Sequence, residues 1–246
     1  MVEYLITFSI GLIASILSGI AGGGAGLITS PLFILLGMPP QVAIATAKFG
    51  GLGITLGGFF TFRKTKYIKW NYVVLLSVLA IIASIIGSLL LINIDETLVQ
   101  KIIGFVMLGS LPFLFIKKNS GLVEVTTSFF KRTIGSMLYF CISVLQAGFG
   151  GGIGTLIPIV LTHLFGFTQL ESNATRKIPG MLIALVSLSI FMASSIVDYG
   201  NGMAIFAGTY VGSSIGTRIA IKQGDTFVKW VLTGVILLLS IKLLLF

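Results

Sequence analysis

The sequence predicts an all-α polytopic membrane protein made of two inverted repeats, each of about five hydrophobic segments with short broken helices at glycine-rich motifs. Composition is the first reason: the 246 residues are 56% hydrophobic and 9% charged, with a mean hydropathy of +1.10, whereas soluble domains carry about 25% charged residues. Segment length is the second, because a spanning helix needs roughly 20 residues and the apolar stretches here are joined by links of only a few. No room is left for a soluble catalytic domain. The third reason is a duplication whose two copies carry opposite flanking charge.

Ten apolar stretches follow one another: residues 4–21, 25–37, 42–62, 72–92 and 98–116, then 133–149, 153–166, 172–193, 200–221 and 227–246. The first has Glu3 as its only early charge, so it lacks the basic start of a signal peptide and reads as a retained span. The stretch 25–37 is only about 20 Å long at 1.5 Å per residue, against a hydrocarbon core of ~30 Å, and 153–166 has the same difficulty. Both read as tilted or broken crossings. Cys141, the single cysteine, lies inside an apolar stretch and reads as a small packing residue.

The repeat is carried by ordered motifs. Gly22-Gly23-Gly24-Ala25-Gly26 matches Gly150-Gly151-Gly152-Ile153-Gly154 at an offset of 128 (150 less 22). Ala45-Thr46-Ala47-Lys48 then matches Ala174-Thr175-Arg176-Lys177 at 129 (174 less 45), and Gly87-Ser88 matches Gly216-Thr217 at the same spacing. Pro31 and Pro158 follow the glycine runs. The copies span residues 1–116 and 133–246, with a basic linker at 117–132.

Link charges decide the relative orientation of the copies. Arg63, Lys64, Lys66 and Lys69 lie between the third and fourth stretches, where the second copy has only Asp198. Conversely, Lys117, Lys118, Lys131 and Arg132, against Glu124, precede the second copy, where the first has only Glu3. Basic links favour the cytoplasm, so equivalent positions fall on opposite faces and each copy crosses an odd number of times. Most of the net charge of +9 is thereby a topology signal. A multi-pass protein of the cytoplasmic membrane is expected, with the lipid bilayer as its surroundings and no nucleic-acid partner. Trp70 and Trp230, each beside a link assigned to the cytoplasm, fit interfacial anchors.

Inverted repeats with short, Gly- and Pro-interrupted segments at matching positions point to a secondary transporter with a midplane site. Gly22, Gly23, Gly24 and Gly26, with Gly150, Gly151, Gly152 and Gly154, can let backbone N–H groups converge at helix starts, where about +0.5 of partial charge attracts an anion. Close helix packing is the other use of such glycines, and it is assigned to isolated ones such as Gly57, Gly58 and Gly104. Lys48 and Lys177 each enter an apolar segment, where a lysine costs ~2.5–3.5 kcal/mol at full depth. Either they snorkel to the nearer interface or, beside Thr46 and Thr175, they meet a substrate. A helix break is expected two residues later in each copy, at Gly50-Gly51 and at Pro179-Gly180.

Arg176 replaces Ala47 in the second copy and either binds an oxyanion through its planar fork or faces headgroups. Asn173 is a further candidate contact. Ser18, Ser30, Gln146 and Thr155 read as capping or packing groups. All seven acidic residues fall in or beside links, which argues for an anionic or neutral substrate. Catalysis is not expected: His163 and Cys141 have no partners at ligand or triad spacing, the glycine runs lack the Lys-Ser/Thr of a phosphate loop, and no cofactor or metal motif is present.

The two copies, GIAGGGAGLITSPLFILLGMPPQVAIATAK and AGFGGGIGTLIPIVLTHLFGFTQLESNATRK, resemble the TauE/SafE family of sulfite exporters and the related permeases of the 4-toluene sulfonate uptake type. The resemblance extends over essentially the whole chain. It implies a carrier of small sulfur-containing anions such as sulfite or organosulfonates, and the two inverted halves add the expectation of alternating access. It also implies a binding region around Gly22–Gly26, Thr46, Lys48, Gly150–Gly154, Thr175 and Lys177. A transporter or channel for another small anion, or a non-transporting scaffold subunit, are the alternatives.

Overall fold

In a computed structural model, residues 2–21, 23, 25–95, 98, 124–150 and 153–245 are described. Gly22, Gly24, Gly151, Gly152 and, apart from Leu98, the expected stretch 98–116 lie outside them, as does the first part of the linker. The described chain is helical without strands: α1 (Val2–Ala21), α2 (Ala25–Leu35), α3 (Pro40–Phe62), α4 (Trp70–Asn93) and α5 (Phe129–Phe149), then a 3-10 turn (Ile153–Thr155). It continues through α6 (Leu156–Leu164), α7 (Gln169–Thr175), α8 (Lys177–Ala193) and α9 (Tyr199–Leu245). Among the described residues Val2–Ala21, Pro40–Phe62, Trp70–Asn93 and Gln169–Ala193 are long and apolar enough to cross a membrane. The chain is a multi-pass membrane protein.

Local chemistry sets the helix ends. Pro40 opens α3 where its missing N–H costs nothing. Thr168 and Glu171 form a reciprocal capping box on α7. The 47 residues of α9 would reach roughly 70 Å at 1.5 Å per residue, more than twice a hydrocarbon core. A break at Gly224 (φ 81, ψ −178) divides it, in a region that only glycine adopts readily, and so restores the expected stretches 200–221 and 227–246.

Three expectations are corrected. α3 runs unbroken through Gly50-Gly51, because a glycine weakens a helix yet keeps its N–H, and the packed helix tolerates the cost. The second copy does break, but at Arg176, ahead of Lys177. Pro179 has no N–H to return to the carbonyl of Thr175, so the helix parts one turn before the proline. Cys141 is also not a packing residue: it lies on an exposed face of α5.

Backbones approach closely where glycines line up. A Cβ at Gly208, Gly212 or Gly216 of α9 would collide with the carbonyl of Phe8, Leu12 or Ile16 of α1, and one at Gly87 of α4 with that of Val144 of α5. Gly53 and Gly57 of α3 meet Phe206 and Tyr210 of α9 in the same way. Thus α1 lies on α9 as α5 lies on α4, the first helix of each copy against the fourth of the other.

The links gather in two groups. In one, Asn201 Nδ2 donates to Glu3 (2.8 Å) and Asp198 (2.9 Å), and Gln41 donates to the Ile94 carbonyl at 2.8 Å. Ile94 packs in one cluster with Ile196 and Val197. This group joins the start of α1, the α2–α3 link, the end of α4 and the α8–α9 link. In the other, Lys69 Nζ pairs with Glu124 (2.7 Å) and Glu171 (2.8 Å), Val125 N donates to Gly166 O at 2.9 Å, and Ile68 packs with Leu170 and Val228. That group joins the α3–α4 link, the segment before α5, the α6–α7 link and the bend of α9. Burial lowers the pKa of Lys69, but hydrogen bonds and charge from Glu171 and Glu124 outweigh it and hold the ammonium above its ordinary range. Trp70 and Trp230 are 57% and 64% exposed, as interfacial anchors would be.

Candidate functional site

Midway along α3 and near the start of α8, the two copies face each other across a cavity of about 790 Å³, counting its open part. Lys48 and Lys177 both line it and are 6% and 3% exposed. Both side chains are enclosed by protein rather than extended along an exposed surface. Lys48 Nζ donates to the Gln146 carbonyl at 2.8 Å and stands 5.9 Å from the centroid of the Phe191 ring. The Lys177 stem lies over the bare backbone of Gly58, where a Cβ would come within 2.7 Å of Nζ.

Arg176 is held between the two glycine runs. A Cβ at Gly23 would lie 3.2 Å from its Nη1, and one at Gly154 3.0 Å from its Nη2. The duplicated glycines therefore make room for a guanidinium that only the second copy supplies. Gly23, Gly26 and Gly150 line the cavity, and Gly150 takes φ 106, the left-handed conformation expected for such a run. Gly26 sits inside α2 and Gly154 inside the 3-10 turn.

Other candidates stand apart from the cavity. Thr46 Oγ1 accepts from the backbone N–H of Asp198 and Thr175 Oγ1 from that of Lys69, both at 3.0 Å. These are the same contact made twice, since Lys69 and Asp198 are themselves repeat equivalents, each just ahead of a fourth helix. Asn173 Nδ2 donates to the Gly19 carbonyl at 3.0 Å, closing the end of α1. All three are buried. Conversely, Ser18 and Gln146, expected only to pack, line the cavity with Thr29 and Thr55. Their sequence signal was their matched place just before each glycine run.

The wall thus carries three cationic side chains, several hydroxyls and no carboxylate among the described residues. Such a lining favours a small anion over a cation by simple Coulomb attraction, strengthened where water is scarce. Among the described residues no group of three His, Cys, Asp or Glu side chains is placed to hold a metal ion.

Residues 7–243 match the family described as sulfite exporter TauE/SafE. The chain is 27% identical to a probable membrane transporter protein of Haemophilus influenzae, over 91% of this chain and 88% of that one. It is 25% identical to a probable membrane transporter protein of a Sinorhizobium species, over 94% and 88%, and 24% identical to one of Bacillus subtilis, over 98% and 97%. No solved structure matches it.

Proposed function

Because the chain belongs to the sulfite exporter TauE/SafE family, we propose that it carries a small sulfur-containing anion, such as sulfite or an organosulfonate, across the cytoplasmic membrane by alternating access. One observation carries the substrate charge: a cavity shared by both copies and lined by Lys48, Arg176 and Lys177 without a described carboxylate. Lys48, Arg176 and Lys177 wall the site so proposed, with Gly22–Gly26 and Gly150–Gly154 beside it. Thr46, Thr175 and Asn173 support it from behind by fixing helix ends.

Alternating access rests on the inverted repeat, residues 1–116 against 133–246. The two groups of link contacts support that reading, since every pair of repeat-equivalent links that the contacts include is divided between the groups. The reciprocal seating of α1 on α9 and α5 on α4 supports a two-fold relation. Rocking of one copy against the other would then open the cavity to each side in turn.

The reading is tested by thermal stabilisation of the purified protein with sulfite, sulfate, thiosulfate, taurine, sulfoacetate and simple carboxylates. A specific ligand at a hundred times its Kd adds about 2.7 kcal/mol of stability. Stabilisation by one or more sulfur oxyanions is expected; stabilisation by none, or by carboxylates alone, would reject the substrate class.

A further inference from the structure

Lys48 and Lys177 are equivalent in the repeat, yet their ammonium groups are unequally engaged. Lys48 Nζ donates to the Gln146 carbonyl at 2.8 Å, an oxygen that also accepts from Gly150 N at 3.1 Å. The lysine thereby adds a second donor to the C-terminal turn of α5 and ties it to α3. Lys177 is 3% exposed and lines the same cavity, and its ammonium has no hydrogen bond or ion pair with any described residue. Its stem lies over the backbone of Gly58, which offers space and no acceptor side chain.

An ammonium has three donors and no acceptor, and burying it unpaired is costly unless an anion completes it. Resting on the small-anion reading above, we propose that the two lysines divide the work: Lys177 Nζ meets the substrate oxyanion, and Lys48 is a positioning residue that clamps the end of α5 to α3. The guanidinium of Arg176, the preceding residue in the chain, lies between Gly23 and Gly154. The ligand this arrangement takes is an anion with at least two acceptor oxygens, small enough to enter between α3 and α8.

The test uses the full chain, with thermal stabilisation by sulfite, sulfate, thiosulfate and sulfoacetate, and with sulfite uptake into proteoliposomes. Lys177→Met is expected to weaken anion binding at least about tenfold, and Lys177→Arg to recover part of it. Lys48→Met is expected to bind within about threefold of the wild type while its maximal uptake rate falls at unchanged KM. Lys48→Arg, which keeps a donor for the Gln146 carbonyl, is expected to recover the rate. If no anion stabilises the wild type, the small-anion reading itself fails. If the wild type is stabilised but Lys48→Met loses as much binding as Lys177→Met, or Lys177→Met binds normally, the division of work fails and that reading stands. Should Lys177→Met not fold, reductive methylation of the wild type read by mass spectrometry decides the matter. Sulfoacetate is expected to protect Lys177 and leave Lys48 unchanged, and equal protection of both or of neither overturns the proposal.

Discussion

Gly154 and Gly23 lie against the Arg176 guanidinium, so a methyl group added at either would press on it and shift it. Gly154→Ala is expected to weaken anion stabilisation by about tenfold, the equivalent of one charge-assisted hydrogen bond, in the same thermal assay. Thr46 and Thr175 make a different prediction. Each hydroxyl satisfies one buried backbone N–H, and removing an acceptor from a buried donor costs about 1–3 kcal/mol. Thr46→Val and Thr175→Val are therefore expected to lower unfolding stability by similar amounts while leaving the ligand preference unchanged, as unfolding curves with and without sulfite will report. The lysines were legible in the sequence because a charge in an apolar stretch is expensive and so demands a reason. The threonines were not, since a hydroxyl that pairs 106 or 152 residues away leaves no local pattern.

At the scale of elements, glycine spacing fixes which helices touch. Gly208, Gly212 and Gly216 recur every fourth residue on α9 and meet carbonyls that recur every fourth residue on α1, the close approach that small residues permit in membranes. Gly212→Leu is expected to force this pair apart and cost about 1–3 kcal/mol or more, read as a lowered melting temperature and loss of monodisperse protein. Gly87→Leu, at the repeat equivalent of Gly216, should do the same between α4 and α5. The segments themselves were legible from hydropathy, and the short α2 and α6 from their length. Which helix would break was not: Gly50-Gly51 and Pro179-Gly180 look alike as breakers, but only the proline removes a donor, and only α8 is parted from its predecessor.

For the whole molecule, the prediction is opposite placement of equivalent links. In a Cys141→Ser background, which removes the exposed native thiol, Lys66→Cys and Tyr199→Cys are expected to react with a membrane-impermeant maleimide from opposite sides of oriented vesicles. Reaction from the same side would contradict the inversion. The inverted orientation is an expectation from the basic residues of the links, which count the faces even in a single sequence, and the labelling tests it. The cavity was only half legible: its lysines and glycines stood out, whereas Ser18, Thr29, Thr55 and the Gln146 carbonyl join it through packing between copies. The central claim, that a small sulfur oxyanion crosses through this shared basic cavity, is tested most directly by labelled sulfite uptake into proteoliposomes. Saturable uptake that shows counterflow and is lost in the Lys48→Ala, Lys177→Ala double variant is predicted; uptake unchanged in that variant would contradict the account.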